Sequence, residues 1–138
     1  MINTYICHPF ASDPKGNVDK VREICKQIAD NSVKQMTAFD RINSNGSRHR
    51  LLGSDNVDLP YDGVVVPICP LLLFPEFMSE PDVCREHAME FCLSLLSTCD
   101  EMWVCSDEIS EGMQQEIDFC KKHSIPIHIW PYWQVNAN

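Results

Sequence analysis

Apolar residues follow two alternating rhythms along this chain. Short segments rich in apolar residues lie at Ile2 to Cys7, Val64 to Ile68, Met102 to Cys105 and Ser124 to Ile129. They have the length and the β-branched or aromatic content of buried strands. Between them apolar residues recur at helical spacing. Asn17 is placed to cap a helix running to about Asp30, with Val18, Val21, Ile24, Cys25 and Ile28 as its stripe. Glu80 to Ser97 reads as a second helix, with Cys84, Ala88, Phe91 and Leu95 on its core face. A third opens at Ser110, a good N-cap, with Glu111 in the first turn, where the helix dipole favours an anion. Its Met113, Ile117 and Cys120 recur at i, i+4 and i+7 and predict the buried face.

Three stretches break the rhythm. Residues 36–62 are rich in Asn, Ser, Gly and Arg and read as an insert, a lid, a hairpin or an oligomer contact. Cys69 to Met78 is an apolar loop carrying Pro70 and Pro75, a surface that needs covering. The tail Trp130-Pro131-Tyr132-Trp133 is aromatic and expected to dock on something. Without the insert the order is βα, βα, βα, β. That alternation predicts one α/β domain spanning residues 1–138, with a parallel sheet of four strands, or five if the insert adds one, and helices on both faces.

Composition narrows the partners. Hydrophobic residues make up 44% of 138 residues, enough for a proper core. The net charge of −9, with no basic stripe, argues against a nucleic acid duplex or an anionic membrane surface as partner. The longest apolar run, Val64 to Phe74, is too short to span a bilayer and holds Pro67 and Pro70. The eight cysteines contain no Cys-x-x-Cys pair, so neither a disulfide framework nor a zinc site is expected, and the reading is a cytoplasmic protein with reduced thiols. No glycine-rich dinucleotide or P-loop motif is present, and no cofactor or metal is expected.

The candidate chemistry sits on the third helix. Gly112 and Glu116 stack at i and i+4, so the missing side chain of Gly112 is expected to leave space before the Glu116 carboxylate, near free backbone N–H groups. The plain alternative is an amphipathic helix with a solvated glutamate. The first strand breaks into a loop at His8-Pro9-Phe10, the ligand-facing edge of an open α/β sheet, so Tyr5 to Asp13 is a candidate site segment. Tyr5 also reads as a core aromatic, and His8 as a surface loop residue.

Tyr5-Ile6-Cys7-His8-Pro9-Phe10, Cys99-Asp100-Glu101-Met102-Trp103-Val104 and Ile109 to Ile117, with Ser110-Glu111-Gly112-Met113 and Glu116 at its heart, resemble the nucleoside 2-deoxyribosyltransferase-like superfamily. The resemblance covers most of the chain outside residues 36–62 and is nearest to a branch of bacterial and phage domains of unknown function. It implies a single-domain, three-layer Rossmann or flavodoxin-like sandwich. It implies cleavage or transfer of an N-glycosidic bond in a nucleoside or nucleotide, and a homodimer or higher oligomer that completes the site. By motif position, Glu116 resembles the nucleophile that attacks the anomeric carbon, Tyr5 the residue that orients it, and Ser110 a contact to sugar or phosphate. His8, Pro9, Phe10, Gly112 and Met113 fall in the matching ligand-binding segments. Relatives also carry an acid carboxylate on the helix before the third strand. Here that neighbourhood is Phe91-Cys92-Leu93, leaving Glu90 or Glu86 as substitutes, and Leu71 stands where branch members often have histidine. A non-catalytic nucleotide-binding protein of the same fold is the alternative.

Overall fold

The computed structural model describes residues 1–44, 64–78 and 85–130. Its elements run β1 (Ile2–Cys7), α1 (Pro14–Ser44), β2 (Val65–Ile68), α2 (Arg85–Ser97), β3 (Glu101–Val104), α3 (Glu111–Lys122) and β4 (Ile127–Ile129), with two single 3-10 turns, Pro70–Leu72 and Phe74–Glu76, after β2. The four strands form one parallel sheet in the order β2-β1-β3-β4. This is the α/β architecture that the alternation predicts.

Side-chain alternation splits the core in two. Tyr5 and Cys7 of β1 and Met102 and Val104 of β3 face Leu96 of α2 and Met113 and Cys120 of α3. Ile6, Trp103 and Cys105 point the other way, onto Val21 and Ile28 of α1. Period-two alternation on the two central strands therefore feeds both layers. The outer strands differ. β2 is an edge strand on which only Val65 is buried, not the fully buried strand its β-branched run suggests. An edge position explains how the strand tolerates Pro67, which donates no hydrogen bond. Ser32 of α1 fastens it, donating to Val65 O at 2.6 Å and accepting from Val65 N at 3.0 Å.

Helix boundaries correct three expectations. α1 begins at Pro14, because Asp13 is the cap: its carboxylate accepts from Gly16 N at 3.2 Å and its carbonyl from Asn17 N at 2.8 Å. Asn17 instead reaches back, donating from Nδ2 to Phe10 O and Ser12 Oγ, both at 3.2 Å, and so fixes the loop after β1. The helix then continues to Ser44, past the expected insert start at Met36; residues 45–63 lie outside the described residues. On α2 the buried face centres on Leu96 and Cys92, whereas Phe91 is exposed and meets Phe74 edge to face at 5.7 Å. Trp130 is buried against Trp103, their rings stacked at 6.4 Å, while residues 131–133 lie outside the described residues. Among the described residues, no helix is long and apolar enough to cross a membrane, no group of histidine, cysteine and carboxylate residues could hold a metal, and the seven described cysteines are free thiols.

Candidate functional site

Parallel strands direct their carboxyl ends to one edge of the sheet, and the loops leaving β1, β2 and β3 there enclose a cleft of about 730 Å³. The β1 loop supplies His8, Phe10 and Ser12; the turns after β2 supply Pro70, Leu71, Phe74, Pro75 and Met78. α2 closes one wall with Ala88, Met89 and Cys92, and the first turns of α3 close another with Ser110, Gly112, Met113 and Glu116. The walls are mainly apolar, with a few polar groups converging, as ligand clefts are built.

Ser110 caps α3, its Oγ accepting from Met113 N at 3.2 Å. From that start the helix buries Met113, Glu116 and Cys120, with Ile117 only partly covered. Glu116 is thus inside the stripe and only 7% exposed, which overturns the reading of a solvated glutamate. The space beside Gly112 is also not open: a methyl group there would meet Met89 Cε at 3.1 Å. Met89, reaching over from α2, covers this face of the helix.

The surroundings of Glu116 are poor in donors. Cys7 Sγ donates to Oε1 at 3.8 Å, a weak contact even for sulfur. The Tyr5 hydroxyl is buried beside the carboxylate and the Cys92 thiol, near enough to favour the ionised carboxylate, yet it closes no full hydrogen bond. Burial therefore dominates and pushes Glu116 up to about 7, with Tyr5 and Cys7 pulling only partly against it. The same burial and the nearby carboxylate push Tyr5 and Cys7 far up, and Cys92 to about 11, so all three stay protonated at neutral pH. Glu116 is left as a carboxyl group that gains or loses its proton near neutrality, facing a cleft.

The other sequence candidates divide. His8 lines the cleft with its Nδ1–H donated to Pro9 O at 2.9 Å, which leaves Nε2 for a ligand. Phe10, Ser110, Gly112 and Met113 line it as well. Pro9 is buried and is not part of the cleft wall, so its part is to turn the chain. Tyr5 lies behind Glu116 rather than in the wall. Glu90 is exposed on α2, outside the wall formed by Ala88, Met89 and Cys92, because a residue two before Cys92 falls on the opposite side of the helix. Sequence reasoning missed Cys7 and Cys92 as neighbours of the carboxylate. The period-two step from Tyr5 to Cys7 was the available signal for the first.

The chain is thus a parallel α/β domain with a carboxylate-bearing cleft at the carboxyl edge of its sheet. Residues 57–130, more than half of the chain, match the family model described as a domain of unknown function (DUF7768), and the chain belongs to that family. No curated protein and no solved structure matches it.

Proposed function

We propose that the cleft cleaves or transfers the N-glycosidic bond of a nucleoside or nucleotide, with Glu116 as the nucleophile. The observation that carries this reading is a buried, donor-poor carboxylate, raised to about 7, on the wall of an apolar cleft. Such a group is destabilised by its surroundings and gains most by capturing an electron-poor carbon. Attack on the anomeric carbon forms a glycosyl ester and expels the base; water or a second base then releases the sugar. Ser110 and His8, which line the cleft, would bind sugar or phosphate, and Tyr5 and Cys7 back the carboxylate from the core.

One observation favours the non-catalytic alternative. Among the described residues no second carboxylate lines the cleft, so no obvious acid awaits a neutral leaving base. The test is a panel of deoxynucleosides, ribonucleosides and their 5′-monophosphates followed by chromatography. Base release by the wild type, lost on the order of a thousandfold in Glu116→Gln, is the expected result. Binding without release from any member would establish a binding protein instead.

A further inference from the structure

The charge of the ligand follows from the groups that the described residues bring to the cleft. Glu116 is the one carboxylate among the described lining residues, and no lysine or arginine lines the cleft there. The phenol and thiols near it are neutral: Tyr5 and Cys7 from β1, Cys92 from α2 and Cys120 from its own helix. A buried anion with no cation beside it among the described residues is stabilised when a ligand brings the positive charge. The rings of Phe10 and Phe74 and the thioethers of Met78 and Met89 suit a flat, polarisable cation.

Proton supply points the same way. Glu116 is the one carboxyl group among the described lining residues, and as the nucleophile it cannot also protonate a departing base. A purine or pyrimidine leaving as an anion needs a proton. A pyridinium base needs none.

We propose that the cleft takes N-glycosides whose base is a pyridinium cation, with Glu116 serving as both counter-charge and nucleophile. The proposal rests on the glycosidase reading above and names its substrate class. In the first step the Glu116 carboxylate bonds to the anomeric carbon, while the C–N pair passes to the ring nitrogen and a neutral pyridine departs. Water then attacks the ester, the sugar leaves with the water oxygen, and one proton is released per turnover. Hydrolysis of a neutral base releases none.

Two probes separate charge recognition from catalysis. 1-Methylnicotinamide is the cation without a sugar, and nicotinamide is its neutral counterpart. Calorimetry at pH 7 in two buffers of unlike ionisation enthalpy should show the cation binding about tenfold tighter or more, with proton release from Glu116. Glu116→Gln should lose both the preference and the proton. Equal binding of the two probes by the wild type, no binding of the cation at millimolar concentration, or a preference kept by Glu116→Gln would overturn the proposal. The wild-type comparison decides even if the variant fails to fold. In the second arm, nicotinamide mononucleotide should be cleaved on the order of a hundredfold faster than inosine 5′-monophosphate, which carries the same ribose phosphate, the advantage of a leaving group that needs no acid. Equal rates would overturn the substrate class and leave the glycosidase reading standing. Cation binding with no cleavage of either would overturn the glycosidase reading and leave a cation-binding cleft.

Discussion

Glu101 and Glu116 are almost equally hidden from water, 6% and 7% exposed, and burial raises both. They sit on opposite faces and at opposite ends of the same sheet. Glu101 opens β3, where its Oε1 accepts from Thr4 Oγ1 at 3.1 Å and Trp103 Nε1 at 3.0 Å, and His128 Nε2 lies 3.7 Å from Oε2. Those donors pull its proton affinity back down. Glu116 has a thiol at 3.8 Å and a phenol that closes no bond. One carboxylate is buried and provided for; the other is buried and starved, beside open space. Burial alone does not mark a site. The mismatch between burial and hydrogen bonding does.

Stability measured against pH should break the pair apart most. Glu116 moves from 4.5 to about 7 on folding. Between those values the unfolded chain has given up its proton and the native protein keeps it. Stability therefore falls as pH rises through this window, and the loss is complete above about 7. A shift of that size corresponds to roughly 3 kcal/mol. Glu116→Gln carries no such charge, so it should match the wild type near pH 4.5 and exceed it by up to roughly 3 kcal/mol at pH 8, read from urea unfolding. Glu101→Ala should do the reverse. It strands the buried Thr4 hydroxyl, worth about 1–3 kcal/mol, removes the acceptor at 3.0 Å from Trp103 Nε1, and should destabilise at every pH. If both variants move stability the same way, the contrast between the two glutamates is wrong.

A smaller effect sharpens the starved side. Cys7→Ser places a stronger donor where the thiol stands, near the carboxylate. The Glu116 titration, followed by carbon NMR of labelled carboxyls, should fall by about one unit. Any pH–rate profile that depends on ionised Glu116 should shift its rising limb down by the same amount. An unmoved titration would mean that burial alone sets Glu116 and that Cys7 is only a core residue.

The fold was readable because it rests on local rhythm. Ile2 to Cys7 and the stripe at Val21, Ile24 and Ile28 carry their periods within one segment. Whether a strand is central or at the edge is not local, so Val65–Ile68 looked more buried than it is. The start of α1 was written in Asp13-Pro14, a cap followed by a proline suited to the first turn, but Asn17 offered a competing cap. The motif position of Glu116 was legible; its burial was not. That depends on Met89 and Cys92 of α2 and on Cys7 of β1, more than twenty residues or a hundred away in sequence. The Glu101 cluster was hidden for the same reason. Its Thr4 contact spans 97 residues, and only the i, i+2 spacing of Glu101 and Trp103 on one strand face hinted at it.

The mildest test asks how much provision Glu101 needs. Thr4 is fully buried, so Thr4→Val keeps the shape and removes only the hydroxyl. Three groups converge on Glu101, and the loss of one leaves the Trp103 N–H on the same oxygen and His128 near the other. The expected cost is therefore that of one net hydrogen bond, about 1 kcal/mol, and Thr4→Ser should recover much of it. The denaturant slope should not change, since no extra surface is exposed. Repeating Thr4→Val in the Glu101→Ala background removes both partners, and there the valine should cost nothing or stabilise, because the stranded hydroxyl is gone. If Thr4→Val costs the same in both backgrounds, the hydroxyl is not serving Glu101. The carboxylate at the start of β3 would then be held by the Trp103 N–H and His128 alone.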